Sequence, residues 1–465
     1  MRHSEEDYKL FNMFFLQAIC IFVFLFPLFF QLSGSIFTQE GMNFDSQGNL
    51  LLAPLPIASI TCFIGILALI RLEKNHFGVG FIFSMFMLMM LSTLISTATQ
   101  GEAELAKYIL LIQFILPMFG LVLGALYLEP GTDYLKFEAI ALYVLLIIIP
   151  CEVIATVMAG TVILTPSIYL FSLYQHLQYL PVIFVSIYFL AVVTLFENKA
   201  LKYIIIFLAP WVGAYIAASL SMITILMAVV LVIISSIALV SRGQKVSVFL
   251  WITLLVVSFL SYYPSVKNSG TYAQKYDLSM SVKGSGASKL NLTKSGLTKK
   301  ELERLIAEYE QEVTRTKQKY NQYALYRSLP NNIKERFIYW EFYSKGIVES
   351  PKIFLFGHKD RPQRELYPSA HNYYLDLIYH FGIIAVLPFI YLISLVFIKS
   401  IKAIREDKMT SKLFALLVIV LFFVFIDNSL KVSFRQPYSG MVIFFLWGVL
   451  LSRLRSVNKQ SRSSE

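Results

Sequence analysis

The chain is built from long apolar runs separated by short polar segments. An α-helix needs about 20 mostly apolar residues to cross a bilayer, and many of these runs reach that length. Hydrophobic residues make up 57% of the chain and charged residues 15%, whereas soluble domains carry about 45–50% and about 25%. The sequence therefore predicts an all-α polytopic membrane protein and excludes a soluble globular domain.

We predict twelve transmembrane helices from these runs. They lie near residues 10–30, 51–70, 77–98, 107–128, 137–158, 178–196, 202–218, 220–240, 246–262, 375–398, 412–429 and 438–452. The seventh and eighth share one apolar stretch, Tyr203 to Val240, which is too long for a single crossing. Gly213, Ser219 and Ser221 indicate a tight reversal within it.

The distribution of Lys and Arg predicts the orientation. With the N-terminus in the cytoplasm, the inside segments carry 18 Lys and Arg, and the short outside segments carry only Lys107, Lys431 and Arg435. Short cytoplasmic loops retain positive charge. We therefore expect both termini in the cytoplasm and the long segment between spans nine and ten outside. The net charge of +11 is then a topology signal, and no nucleic acid is expected as a partner.

Metal and cofactor chemistry finds no support in the sequence. Cys20, Cys62 and Cys151 all lie in apolar runs, so neither a disulfide framework nor a cysteine zinc site is indicated. There is no Asp-rich motif near the outer surface, no P-loop and no dinucleotide fingerprint. We predict no cofactor and no metal. The first apolar run is long enough to span, so we interpret it as a helix and not as a cleavable signal peptide.

Three regions follow from this topology: spans one to nine over 1–262, a large external loop over 263–374, and spans ten to twelve with a cytoplasmic tail over 375–465. Within the loop, residues 263–298 look loosely structured. Residues 298–328 predict a solvated helix, with Thr298 and Glu301 forming a capping box. A second helix is predicted over 331–348, ended by Pro351, and a turn-rich stretch then leads into span ten.

His371 is the candidate catalytic residue. It lies where the external loop meets span ten, and either Ser369 or Asn372 is expected to cap the helix there. A histidine near its ordinary pKa of about 6.5 is suited to take a proton from a hydroxyl group. The alternative is that His371 is only an interfacial polar residue.

Several cations accompany this histidine on the predicted outer side. A Lys or Arg there opposes correct insertion, so its presence calls for a reason. Binding of a lipid-linked pyrophosphate is one reason, because Arg contacts phosphate oxygens in a bidentate manner. Snorkelling to lipid headgroups is the other. The candidate cations are Arg336, Arg361, Arg364, Lys107, Lys431 and Arg435. For Lys431, pairing with Asp427 one helical turn away is a simpler explanation.

The pattern resembles the O-antigen ligase and O-antigen polymerase superfamily. The resemblance rests on the large penultimate external loop, on Arg336 four residues before Trp340, on Pro351 and Gly357, and on an Ala-His-Asn-x-x-Leu element. That element begins at Ala370, and a glycine, Gly382, follows it. The motif core covers roughly 336–390, and the number and orientation of helices extend the similarity along the chain.

The resemblance implies a GT-C-like, membrane-embedded, inverting and metal-independent glycosyltransferase of the bacterial inner membrane. Its donor would be an undecaprenyl-diphosphate-linked oligosaccharide, and its other partners would be a glycan acceptor, membrane lipids and a chain-length regulator protein. Carried over by position, His371 would be the general base and Arg336 would bind the donor pyrophosphate. Asn372 and Trp340 would support them.

Two departures from the family pattern bear on the reaction. Family ligases have an Arg in the external turn between paired spans, whereas this chain has Ser219, Leu220, Ser221 and Met222 there. The chain also reads Gly357-His358-Lys359 where the family often shows Gly-x-Gly. The missing Arg favours a polymerase of repeat units over a ligase.

The leading hypothesis is thus polymerisation of lipid-linked repeat units at the periplasmic face. The alternative within the family is a ligase that transfers glycan to lipid A core or to a protein. A transporter of lipid-linked oligosaccharides is a second alternative. A transporter is expected to carry internal repeats and polar groups near the bilayer midplane, and the sequence has no repeat between its halves.

Overall fold

The computed structural model describes most of the chain from residue 77 onward. The described ranges are 77–101, 105–127, 129–158, 180–219, 221–268, 321–329, 331–359 and 369–462, with short pieces at 17–19, 21, 43–44, 50–52, 311, 314–316, 318–320 and 362. The predicted spans near 10–30 and 51–70, the loosely structured stretch and the capping box of Thr298 with Glu301 lie almost entirely outside them. The described part is helical except for a short antiparallel pair of strands, β1 (Asn43–Phe44) and β2 (Leu50–Leu52).

The α-helices whose bounds the structure gives are numbered in chain order. They are α1 (Phe77–Gln100), α2 (Leu105–Ile115), α3 (Phe119–Ala125), α4 (Phe137–Met158), α5 (Leu180–Leu195), α6 (Lys199–Ser219), α7 (Met222–Val240), α8 (Lys245–Asn268), α9 (Ala324–Ser328), α10 (Asn331–Ile347), α11 (Pro351–Phe356), α12 (Tyr373–Phe381), α13 (Leu387–Arg405), α14 (Ser411–Phe422), α15 (Asn428–Leu430) and α16 (Pro437–Arg462). Single turns of 3-10 helix lie at Leu116–Met118, Asp133–Leu135, Ile383–Val386 and Ser433–Arg435, and a π-helical turn lies at Phe423–Asp427.

Within the described residues, seven helical stretches are long and apolar enough to cross a bilayer, which indicates a multi-pass membrane protein. They are Gly78–Gln100, Lys199–Ala217, Met222–Val240, Lys245–Pro264, Ile383–Arg405, Ser411–Leu430 and Ser439–Ser456. Three shorter apolar helical stretches accompany them, at Leu110–Ala125, Phe137–Ile147 and Pro181–Leu195. The all-helical membrane class is confirmed, while the count of twelve stays a prediction.

Two predicted spans are interrupted in the structure. The run predicted as a span near 107–128 is divided by a 3-10 turn that contains Pro117, because proline interrupts helical hydrogen bonding. The run predicted near 375–398 is divided at Gly382, where the backbone has φ 71°. His371 consequently precedes the nine-residue helix α12 and not the spanning helix itself, which begins after the glycine.

Two other local predictions are corrected. Pro351 does not end the helix predicted over 331–348, which the structure ends at Ile347; it begins α11, and the Ser350 side chain caps that helix by accepting from the Ile353 N–H. Proline suits the first turn of a helix, where its missing N–H costs nothing. The reversal between α6 and α7 lies at the serines, while Gly213 lies inside α6.

Close backbone contact joins the middle of the chain to its last helix. Gly120 and Gly124 form a G-x-x-x-G pair on α3, and a Cβ added to either would overlap a carbonyl group of α16, that of Met441 or that of Phe445. Gly448 approaches α3 in the same way from the other side. Small residues that let backbones approach are a common basis of helix association in membranes.

Helix α5 lies at the centre of the bundle. Its residues from 181 to 195 are all buried, and it contacts α4, α6, α7, α14 and α16. A helix that is apolar on every side must be surrounded by other apolar surfaces. Residues 181–195 are therefore enclosed by protein, whereas α8 presents Val246, Phe249 and Leu260 outward.

Charged side chains collect at one end of α16. Arg453 contacts Glu138 at 3.2 Å and Glu129 at 3.5 Å, and Lys136 contacts Glu129 and Asp133. All of these residues belong to segments that the Lys and Arg distribution assigns to the cytoplasm. Arg435, which was assigned to the outside, precedes the first turn of α16, about 24 Å from Arg453 along the helix axis.

Candidate active site

A left-handed turn holds His371 at the start of α12. The histidine has φ 48°, one of only two positive φ values among non-glycine residues of the described chain. Its N–H donates to the Ser369 Oγ at 3.2 Å, and the next residue, Asn372, caps α12 by accepting from the N–H groups of Tyr374 and Leu375. Of the two predicted caps, the structure selects Asn372. A left-handed backbone outside glycine persists only where the surroundings enforce it, and such residues cluster at functional sites.

A buried ion pair braces the same turn. Asp376 on α12 is fully buried; its Oδ1 accepts from the Ala370 N–H at 2.9 Å, and its Oδ2 lies 2.5 Å from the Nη1 of Arg435. The guanidinium of Arg435 also lies over the Phe114 ring, 5.6 Å from the ring centroid. A buried charge requires a partner, and here the partner comes from the segment between α14 and α16.

The segment between α14 and α16 contacts both the His371 turn and α10 of the predicted external loop. The Nη1 of Arg336 on α10 donates to the Leu430 carbonyl at 2.6 Å, and the Tyr373 N–H donates to the Lys431 carbonyl at 3.1 Å. The segment itself is fixed by Asn428, whose Oδ1 accepts from the Phe434 N–H at 2.8 Å. As a result, the Arg336 helix and the His371 helix meet at one short stretch of backbone.

The π-helical turn just before this segment carries a buried carboxylate. Asp427 is fully buried, and its Oδ1 lies 3.6 Å from the Nζ of Lys431, so the predicted pair is present. The widened turn frees carbonyl groups, which Tyr374 and Asn428 satisfy through their side chains. Turns of this kind often occur at functional sites.

The C-terminal ends of α11 and α12 cross in contact through two glycines. Gly357 has φ 72° and Gly382 has φ 71°. A Cβ on Gly357 would overlap the His380 backbone, and a Cβ on Gly382 would overlap the Leu355 backbone. The His358 N–H donates to the Tyr379 carbonyl at 2.8 Å across the crossing. Glycine is thus needed at 357 and 382 because the backbones of α11 and α12 are in direct contact at these positions.

Lys107 and α1 hold this crossing from the other side. The Nζ of Lys107 donates to the Ser96 Oγ and to the His358 carbonyl, both at 2.7 Å, and the side chain is almost fully buried. Gln100 exchanges two hydrogen bonds with the backbone of the same loop, at Gly357 and Lys359. A lysine so placed anchors the loop that carries the Pro351-to-Gly357 motif.

Aromatic side chains of α10 face the histidine turn. The Tyr339 ring lies 5.5 Å from the His371 ring, with the two planes inclined by 33°. Tyr343 contacts Tyr379 of α12 edge to face, and burial raises the pKa of the Tyr343 phenol above its ordinary value, so it stays protonated. The indole N–H of Trp340 is buried, with no hydrogen-bond acceptor among the described atoms.

The structure brings together five of the seven predicted charged or catalytic residues around the junction of α10, α12 and the 428–435 segment, with Lys107 joined through the α11–α12 crossing. They are His371, Arg336, Lys107, Lys431 and Arg435. Arg361 and Arg364 lie outside the described residues. Among the described residues there is no cluster of three or more His, Cys, Asp or Glu side chains that could hold a metal ion.

Two residues of the site are not predicted from the sequence. Asp376 falls within the span predicted near 375–398, although a carboxylate in the first turn of an apolar helix is a signal of function. Tyr339 is one of several aromatic residues of α10, and nothing in the sequence distinguishes it from the others.

Comparison of the chain with protein-family models, curated proteins and solved structures finds no match.

Proposed function

We propose that the protein is a glycosyltransferase that polymerises undecaprenyl-diphosphate-linked oligosaccharide repeat units at the periplasmic face of the bacterial inner membrane. The observation that carries the proposal is the left-handed turn at His371, which is braced by buried contacts and lies beside buried cations. Together with the sequence resemblance, this combination supports a base positioned next to a site for an anionic leaving group.

In the proposed reaction, the imidazole of His371 takes the proton of an acceptor hydroxyl. The acceptor oxygen forms a bond to the anomeric carbon of the donor as the bond from that carbon to the pyrophosphate oxygen breaks. The departing lipid diphosphate carries the electron pair away, and inversion at the anomeric carbon follows from attack opposite the leaving group. General base catalysis of this kind contributes about 10²–10⁴-fold.

Arg336 and Lys431 are the cations best suited to the developing negative charge. Arg336 is 7% exposed and is oriented by the Leu430 carbonyl, and Lys431 follows that carbonyl directly in the chain. Fixed positive groups in a site shielded from water stabilise a departing anion strongly, because they need no reorganisation during the reaction. Arg336 and Lys431 would then stabilise the departing diphosphate without the help of a metal ion.

The α6–α7 turn favours polymerisation over ligation. Ser219 and Ser221 form this turn, and Ser221 caps α7 by accepting from the Thr224 N–H. The arginine that family ligases carry in the equivalent turn is replaced here by uncharged residues. An acceptor site without that cation suits the uncharged hydroxyl of a second lipid-linked repeat unit better than the phosphorylated core of lipid A.

The test is His371→Ala in the native host, read as the length distribution of surface glycan on a gel. We expect the ladder to collapse to single repeat units. A matched control is His76→Ala, the same substitution in a segment that we predict to be cytoplasmic, which should leave the ladder intact. Loss of all attached glycan with accumulation of lipid-linked polymer would instead identify a ligase, and an unchanged ladder would reject His371 as the base.

Arg336 can be tested in the same assay. Arg336→Lys keeps the positive charge but loses the planar fork, whereas Arg336→Met removes the charge. We expect the methionine variant to lose polymer and the lysine variant to keep a shortened ladder. Normal ladders from both variants would reject a role for Arg336 in holding the donor pyrophosphate.

A further inference from the structure

We propose that Asp376 and Arg435 are positioning residues that hold His371 in its reactive conformation, an inference that rests on the proposed function of His371. Arg435 then acts on the donor only through the turn. The sequence predicts instead that Arg435 binds the donor pyrophosphate, and the two roles make different kinetic predictions.

The geometry ties the pair to the residue just before the histidine. One carboxylate oxygen of Asp376 accepts from the Ala370 N–H and the other contacts Arg435. Because both oxygens are engaged, rotation of the carboxylate would break one contact or the other. The position of Arg435 is in turn fixed by the 3-10 turn Ser433–Arg435 and by the Phe114 ring.

The turn needs this support because its backbone is intrinsically disfavoured. In the left-handed conformation the Cβ of a side chain crowds the following carbonyl. Histidine adopts this conformation more often than most residues, but it remains uncommon. Four contacts hold the turn and the start of α12: Asp376 on Ala370, Ser369 on His371, Asn372 on the first turn of α12, and Lys431 on Tyr373. Of these four, the Asp376 contact is the one whose carboxylate also pairs with a charged side chain from a distant segment, Arg435.

The two roles of Arg435 differ in what they do to kcat and KM. A ligand of the donor pyrophosphate contributes to ground-state binding, so its loss raises KM whether or not kcat also falls. Loss of a positioning contact misplaces the base while leaving the donor site intact, so kcat falls and KM holds. A displacement of about 1 Å costs about 100-fold in rate.

The experiment uses the full chain in proteoliposomes, with lipid-linked repeat units extracted from the native host as the substrate. Asp376→Asn keeps the shape and one acceptor but removes the charge, and Arg435→Met and Arg435→Lys test the other partner. The matched control is Glu138→Gln, which removes a buried carboxylate paired with Arg453 at the far end of α16. Size-exclusion profiles establish that each variant is folded.

We expect Asp376→Asn and Arg435→Met to lower kcat about 100-fold with KM within about threefold, Arg435→Lys to recover part of the loss, and Glu138→Gln to keep kcat. A KM raised well beyond threefold in Arg435→Met, with or without a fall in kcat, would overturn the inference in favour of donor binding, and wild-type kcat in Asp376→Asn would also overturn it. If Asp376→Asn does not fold, the two Arg435 variants decide. Activity in His371→Ala would instead overturn the proposed function itself.

Discussion

Cations of the predicted outer face bind main-chain carbonyl groups. Lys107 donates to the carbonyl of His358 and Arg336 to that of Leu430, and both donors are buried. A carbonyl in such surroundings needs a hydrogen bond, because burying it without one costs free energy. These cations, which oppose the positive-inside pattern, therefore have a structural reason in addition to any role in binding the donor.

Glu341 makes the loop that we predict to be external sensitive to acid. Burial raises the pKa of its carboxyl group, but hydrogen bonds from Lys319 and Lys345 outweigh this and bring the pKa below its ordinary value. The stabilisation is therefore present above the unfolded pKa of about 4.3 and is lost as the pH falls through the lower folded pKa. We expect wild-type protein to have a higher melting temperature than Glu341→Gln at pH 7, and the difference to vanish near pH 3.

The control is Glu349→Gln, which alters an exposed carboxylate near the end of the same segment and should change the melting temperature little at either pH. A difference between wild type and Glu341→Gln that persists unchanged at pH 3 would contradict the assignment of the lowered pKa to these two lysines.

Sequence separation decided which single-residue contacts could be predicted. The Asp427–Lys431 pair and the Asn372 cap are local, because helix geometry fixes the distance between residues a few positions apart. Arg435 and Asp376 are 59 positions apart, and nothing in a single sequence says that they meet. The left-handed conformation of His371 was unpredictable for the same reason, since the contacts that enforce it are tertiary.

At the scale of elements, the α11–α12 crossing depends on the absence of a side chain at Gly382. We expect Gly382→Ala to be destabilising through two effects, the left-handed backbone, at about 1–2 kcal/mol, and overlap with the Leu355 backbone, at about 1–3 kcal/mol more. Gly243→Ala is the matched control, because Gly243 has φ 77° but nothing within 4 Å of an added Cβ. Unfolding in detergent micelles, compared between the two variants, isolates the overlap; equal losses would contradict the close crossing.

The contact between α3 and α16 allows a similar comparison. An added Cβ at Gly124 would overlap the Phe445 carbonyl, so Gly124→Ala is expected to cost about 1–3 kcal/mol. Gly80 lies in α1 with nothing within 4 Å of an added Cβ, and Gly80→Ala is expected to stabilise slightly, by up to about 1 kcal/mol, because alanine is the better helix former. The two substitutions should therefore shift the melting temperature of the purified protein in opposite directions.

Apolar length located most helices but not their interruptions. Composition alone identified α1, α6, α7 and α8 close to their observed bounds, since about 20 apolar residues leave few other folds. The breaks at Pro117 and Gly382 were missed because an apolar count ignores single residues that stop a helix. Both residues were visible in the sequence, so weighting proline and glycine more heavily would have found them.

At the scale of the whole molecule, an arginine lies at each end of α16 and pairs with carboxylates from different parts of the chain. Arg453 lies among Glu129 and Glu138, while Arg435 lies with Asp376 beside the histidine turn. The predicted orientation assigns the first end to the cytoplasm and the second to the outside. The three-dimensional arrangement groups the residues in the same two sets that the Lys and Arg distribution proposed.

This orientation can be tested by cysteine labelling. Tyr323→Cys replaces an exposed residue of the external loop, and Gly131→Cys lies in a segment predicted to be cytoplasmic with open space around it. We expect a membrane-impermeant maleimide to label Cys at 323 in intact spheroplasts, and Cys at 131 only after the membrane is permeabilised. The reverse pattern would overturn the topology and, with it, the periplasmic location of the proposed reaction.

The hydrogen bond from Lys107 to His358 can form only late in the synthesis of the protein. The two residues are 251 positions apart, and a ribosome adds about 5–20 residues per second, so the lysine is made about 13–50 s before its carbonyl partner exists. Throughout that interval the contact between α2 and the backbone at His358 cannot form. The final placement of α2 against that loop therefore belongs late in biogenesis, after residue 358 has been made.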